Sequence, residues 1–157
     1  MDASFGKIVK TTLSYIRKDG QYLMLYRNKK ENDINEGKWI GVGGKFEKGE
    51  SADACMKREV FEETGLTVTD FHYYGVIRFY EEGGETILMY LYTVDDFEGE
   101  AKTECDEGIL KWVPEEELLS LPTWEGDKEF LVPMLEGKES INMSLYYKGD
   151  KLVKVIK

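Results

Sequence analysis

Cysteine is scarce in this chain of 157 residues: only Cys55 and Cys105 occur. One pair is no disulfide framework, and no CxxC or Cys/His spacing for zinc is present. Both are expected to be reduced thiols in a cytoplasmic protein. Histidine is scarcer still. His72 stands alone beside Tyr73 and Tyr74 and reads as structural. Basic charge is also in deficit, with 21 Lys and Arg against 31 Asp and Glu and a formal net charge of -10. That excludes a nucleic-acid polymer as partner, because tight backbone binding needs a basic surface. A small phosphate ligand stays open if a divalent cation screens it. No run of about 18 apolar residues exists, so no membrane span is expected. The opening "MDASFGKIVKTTL" lacks the apolar core of a signal peptide. Repeats and low-complexity segments are missing too. What remains, 41% hydrophobic and 13% aromatic, is the composition of a folding chain, expected to form a single domain over 1–157. Oligomeric state is not legible.

The pattern along the chain is mostly strands with two or three helices. Residues 7–17 and 21–28 read as a hairpin turning at Asp19-Gly20. "KKENDINEGKW" is a polar surface loop. Residues 39–51 hold four glycines and read as a functional loop rather than a strand. Ser51 is a candidate N-cap for a helix over about 52–64, with Gly65 as its stop. "DFHYYGVIRFYEE" and "ETILMYLYTVDDF" are long strands, and "EGILKWV" is a short one. "PEEELLSL" places proline at a helix N1 position. "TWEGDKEFLVPMLEG" suggests a further helix, broken or kinked near Pro133. The end, 141–157, is a hairpin turning at Lys148-Gly149-Asp150. Together these indicate an α/β (α+β) fold with helices packed on a mixed sheet.

The helix carries a conflict. Glu59, Glu62 and Glu63 lie at i, i+3 and i+4, where like charges repel. At about 100° per residue they share half of the wheel with Ala52, Cys55, Met56 and Val60, the side that should pack on the sheet. Carboxylates gathered at a core edge are costly without a cation among them, and hard oxygen donors suit Mg²⁺ or Mn²⁺. Taken alone, such a triplet is more often a solvated patch in an acidic protein.

The residues before the helix resolve this. From Gly44 the chain reads "GKFEKGESADACMKREVFEETGL": Gly, five residues, Glu50, seven residues, then Arg58 to Leu66. This resembles the Nudix box, G-x5-E-x7-R-E-U-x-E-E-x-G-U with U apolar, at all nine constrained positions. The resemblance implies a MutT-type α/β/α sandwich with a mixed central sheet, a divalent metal (Mg²⁺, with Mn²⁺ an alternative), and cleavage of nucleoside diphosphates linked to another group. It further implies Glu59, Glu62, Glu63 and the carbonyl of Gly43 as metal ligands. Gly44, Glu50 and Gly65 become structural positions, and Arg58 pairs with Glu50 and orients Glu59. Glu59 is the first candidate for the base that takes a proton from water. Glu107 is the second, matching an acid beyond the box that joins the metal site. Arg27 matches a phosphate-contacting position, and otherwise is a surface arginine at a strand end.

Beyond the box the chain is similar to MutT-homologue enzymes that hydrolyse oxidised purine nucleoside triphosphates. By position Trp124, Phe79 and Met89 match pocket residues, and Asp127 an acid that reads the purine edge. The alternative for the three apolar residues is plain core packing. Two departures stand out. Ile40 replaces an asparagine that hydrogen-bonds the base, and "WEGD" carries glycine in place of one acid. The expected function is hydrolysis of an oxidised purine dNTP such as 8-oxo-dGTP to monophosphate and pyrophosphate. The alternatives are a Nudix pyrophosphatase for ADP-ribose or another nucleoside diphosphate derivative, and a non-catalytic nucleotide-binding module.

Overall fold

Strands β1 (Ile8–Lys18) and β2 (Gln21–Arg27) form the expected hairpin. Its turn works because Asp19 and Gly20 both take positive φ, 53° and 75°, as a two-residue hairpin turn demands. The computed structural model describes residues 7–30 and 32–157. Seven further strands are described: β3 (Trp39–Ile40), β4 (Thr67–Glu81), β5 (Thr86–Glu98), β6 (Glu104–Cys105), β7 (Gly108–Pro114), β8 (Met143–Lys148) and β9 (Lys151–Ile156). They make one mixed sheet in the order β6-β7-β2-β1-β5-β4-β8-β9, with β3 added beside β2. The β1–β5 and β4–β8 pairs are parallel, and the other pairs are antiparallel.

Alternation along the strands builds two cores. On β1 and β2, Ile16, Leu23 and Leu25 face one way and join Met56 and Val60 of helix α1 (Ala52–Thr64). Tyr15, Tyr22 and Met24 face the other way and join Phe130, Leu131 and Met134 of helix α2 (Asp127–Leu135). Each fully buried apolar side chain of this kind contributes about 1.5–3 kcal/mol. The product is a helix–sheet–helix sandwich, as the resemblance implies. No helix among the described residues is long and apolar enough to cross a membrane.

Helix α1 begins and ends where expected. Ser51 accepts a hydrogen bond from the Ala54 N–H at 3.1 Å, and Gly65 closes the helix in the left-handed conformation at φ 81°. Three details differ from expectation. Residues 115–120 form a 3-10 helix, and Pro114 is its cap rather than its first residue, because Pro114 is still extended and paired with Gln21 in the sheet. Helix α2 starts only at Asp127 and passes through Pro133 to Leu135. The proline removes a single bond, and the Val132 and Pro133 carbonyls still accept from Glu136 and Lys138. Within 39–51, Trp39 and Ile40 are strand, and Val42 bridges to Ser14.

Candidate active site

Close backbone contact fixes the loop in front of α1. Val42 and Ser14 exchange hydrogen bonds at 2.7 and 2.9 Å, and the Gly44 carbonyl accepts from the Thr12 N–H. A Cβ on Gly43 would meet the Thr12 carbonyl oxygen at 1.8 Å, and one on Gly44 would meet Glu59 Oε2 at 2.1 Å. Only glycine lets this loop lie between β1 and the carboxylates of α1.

The three glutamates of α1 line one cleft and are graded by depth. Glu63 is buried, Glu59 is half-buried and Glu62 is exposed. Arg58 explains how part of the repulsion among them is borne. Its Nε and Nη2 grip Glu50 at 2.7 and 2.9 Å, and Nη1 reaches Glu59 at 2.6 Å and Glu62 at 3.1 Å. The bond to Arg58 and that from the Glu47 N–H hold the Glu50 carboxyl down to about 2. The same Glu50 bond, with help from Glu59, raises Arg58 above its ordinary range. Burial pushes Glu59 up despite Arg58.

Glu63 has a different solution. The Gly43 N–H donates to it at 3.1 Å, and it shares a hydrogen bond with Glu107. Burial, then Glu107, push the Glu63 carboxyl strongly up, so this pair keeps a proton at neutral pH. Burial also raises Glu107, but the bond from Glu63 and the charges of Arg27 and Lys30 outweigh it. Arg27 faces Glu107 at 3.4 Å through Nη1, while its Nε is bound to Asp33 at 2.7 Å.

As they stand, no three of these acids among the described residues gather on one point. Arg58 turns Glu59 and Glu62 to itself, and the Gly43 N–H holds Glu63. Their chemistry nonetheless fits a hard divalent cation: an all-oxygen set, with the buried Glu63 carboxyl beside the partly exposed one of Glu107. Lys29, Lys30 and Lys102 line the same cleft, which sequence reasoning missed because they lie on loops of no recognisable pattern.

A second, largely apolar cavity abuts the other side of the Gly43–Gly44 loop. Phe79, Met89, Trp124 and Asp127 line it together with Ile40. The apolar residues serve both readings at once. Phe79 is 7% exposed, stacks on Tyr147 at 4.4 Å and meets the Trp124 ring edge-on at 5.6 Å, yet both rings wall the cavity. Burial pushes the Asp127 carboxyl up to about 7, against the Trp124 backbone and Lys38. The glycine of "WEGD" has a steric cause: the Gly126 N–H donates to the Tyr147 hydroxyl at 2.6 Å, and a Cβ there would lie 2.6 Å from that oxygen. Glu125 points elsewhere, accepting from the Leu152 N–H. His72 lies away from both cavities, with Nε2 against the Glu139 carbonyl and its ring edge-on to Tyr74.

Sequence reasoning passed over Asn35 as part of a polar loop. It lines the apolar cavity, and its Oδ1 accepts from Trp124 Nε1 at 2.7 Å. The only available signal was an Asp-x-Asn turn shortly before Trp39.

Arg58→Ala should expose what this residue holds together. Three carboxylates lose their shared cation at once, so the melting temperature should fall by on the order of 5 °C at low salt. Thermal denaturation at low and high salt checks this. An unchanged midpoint would mean that the cluster is solvated and indifferent to its arginine.

The helix–sheet–helix sandwich, with a glycine loop laid against acids graded along one helix and an aromatic cavity beside it, has the build of a hydrolase. The particular family follows from comparison with known proteins. Residues 10–132 match the NUDIX domain, and the chain belongs to the Nudix hydrolase family. It is 33% identical over 144 residues to the oxidized purine nucleoside triphosphate hydrolase of Danio rerio, covering 90% of this chain and 89% of that one. It is 28% identical over 142 residues to the Nudix hydrolase YvcI of Bacillus subtilis, covering 88% and 86%. The crystal structure of a mutator MutT protein from Bacillus halodurans superposes with a TM-score of 0.84 at 28% identity, covering 94% and 95%.

Proposed function

We propose that this enzyme hydrolyses a nucleoside triphosphate to monophosphate and pyrophosphate, and that oxidised purine deoxynucleotides such as 8-oxo-dGTP are its preferred substrates. One observation carries the reading: an aromatic cavity lined also by a buried acid opens beside the loop that touches Glu59 and Glu63. A base between Phe79, Met89 and Trp124 leaves its phosphates next to that loop. Apolar walls with a few placed polar groups are the usual build of such a pocket. The likeness to the zebrafish hydrolase supports the same choice.

Glu59, Glu62, Glu63, Glu107 and Gly43 would hold Mg²⁺ or Mn²⁺. When bound, the cation neutralises phosphate charge and makes water a better nucleophile. The chain's own residues do the rest. Glu59 takes the proton of the attacking water as the oxygen adds to phosphorus, the phosphoanhydride bond breaks and pyrophosphate leaves. Burial suits it, since it raises this carboxyl toward the range of a working base. Arg58 fixes Glu59 through Nη1 while Glu50 fixes Arg58. Lys29, Lys30 and Lys102 offset phosphate charge at the mouth of the cleft. Arg27 acts by holding Glu107 and Asp33.

The test is kcat/KM for 8-oxo-dGTP, dGTP, dCTP and ADP-ribose, with released pyrophosphate or phosphate as readout. The oxidised purine should lead, and dCTP should trail it by about one to two decades. ADP-ribose ahead by a decade would move the enzyme to the nucleoside diphosphate derivatives. Equal rates on all four would mean that the aromatic wall reads no base.

A further inference from the structure

We propose that Asn35 is a specificity-determining residue that selects a 6-oxopurine over a 6-aminopurine, an inference that rests on the nucleotide reading above. Amide oxygen and nitrogen are hard to tell apart by shape, but here the partner decides. An indole N–H can only donate, so the atom 2.7 Å from Trp124 Nε1 must be Oδ1. The Nδ2 end is left for a ligand, and it can only donate.

The backbone around Asn35 is pinned on both sides. Its N–H donates to Asp33 Oδ1 at 3.1 Å, and its carbonyl accepts from the Lys38 N–H at 2.9 Å. Asp33 is held in turn by Arg27 at 2.7 Å, in an ion pair whose side chains are 7% and 11% exposed. The amide is therefore presented by a braced loop.

The other polar groups lining the cavity do not fix a preference. Thr11 donates to the Leu88 carbonyl and Thr12 is paired with Cys55. The Tyr15 hydroxyl both donates and accepts, so it suits either edge. Lys38 packs over the Trp124 ring at 4.6 Å and does not line the cavity. That leaves Asn35 as the fixed donor, with Asp127 an acceptor once it has given up its proton. A 6-oxopurine offers an acceptor at O6 beside N–H donors, which matches the pair. A 6-aminopurine offers a donor at that atom, facing Nδ2 donor to donor. Oxidation at C8 leaves this edge unchanged. Asn35 thus supplies the amide that Ile40 does not.

Asn35→Asp is the direct test. One carboxylate oxygen still accepts from Trp124, but the other now accepts where Nδ2 donated. The ratio of kcat/KM for dGTP over dATP should fall about tenfold or more relative to wild type. Asn35→Ala, which deletes the amide from a surface loop, should also lower the ratio, through a larger loss on dGTP than on dATP. Calorimetric titration of dGMP and dAMP into each protein, without metal, gives a readout independent of turnover, and the affinity ratio should move the same way. A dGTP-to-dATP ratio that stays within about threefold of wild type in both variants would overturn the role of Asn35. So would wild-type binding without preference for dGMP. Failure of the functional reading looks different: wild type would hydrolyse no nucleoside triphosphate at all.

Discussion

Glu63→Gln should cost two to three orders of magnitude in hydrolysis while leaving the metal-free fold intact. Both halves follow from where this side chain sits. It is 8% exposed, bonded to the Gly43 N–H and shares a hydrogen bond with Glu107. Glutamine keeps the shape, accepts from Gly43 through its oxygen and donates to Glu107 through its amide. An uncharged amide replaces a carboxyl that burial already holds in its protonated form, so melting without metal should hold or rise. What is lost is one anionic oxygen donor from the set that fits a hard cation, and charge placed at a reacting phosphate is commonly worth about 10²–10³ in rate. Mg²⁺ should raise the wild-type melting temperature and raise that of Glu63→Gln less, since a ligand stabilises only as far as it binds the folded state. Glu62→Gln gives the contrast. Its side chain is 55% exposed, so melting should not move in either direction while turnover still falls. Near-full turnover of both variants at limiting Mg²⁺ would remove these two residues from the site.

Much of this site was legible in the sequence because the chemistry is local. Gly44 through Leu66 is one continuous stretch, and helical spacing alone places Glu59, Glu62 and Glu63 along one cleft. Ser51 and Gly65 mark their helix ends by residue type. The parts that did not show are those assembled across the sheet. Strand order, with β1 parallel to β5 and β4 parallel to β8, leaves no local trace. The Glu63–Glu107 contact joins a helix to a distant loop. Asn35 meets Trp124 across 89 positions of chain. The relief of charge was also misjudged in part. A bound cation was expected to carry all of it, whereas Arg58 carries much of it for Glu59 and Glu62, and a shared proton carries it for Glu63. Residue spacing predicts that carboxylates meet, but it says little about which neighbour neutralises them.

Asp127 makes the fold itself sensitive to pH. Asp127 lines the apolar cavity, 8% exposed, and burial lifts its carboxyl from an ordinary 3.8 to about 7. The groups facing it are the Tyr15 and Tyr147 rings, the Trp124 backbone and Lys38, and the last two favour the charged form without outweighing burial. In the unfolded chain the same carboxyl ionises near its ordinary value. Between pH 4 and 7 the folded state therefore holds a proton that the unfolded state has released, so stability falls as pH rises through that window and levels off above it. Each unit is worth about 1.4 kcal/mol, so the loss between pH 5 and pH 8 is about 3 kcal/mol from this residue. Asparagine cannot ionise and fits the same space. Asp127→Asn should thus gain about 3 kcal/mol on wild type between pH 5 and pH 8 in denaturant unfolding. Other raised carboxyls such as Glu59 and Glu63 are present in both proteins and cancel in the difference. Parallel stability curves for the two proteins would mean that Asp127 ionises freely in the fold, and that the cavity beside it is open to water.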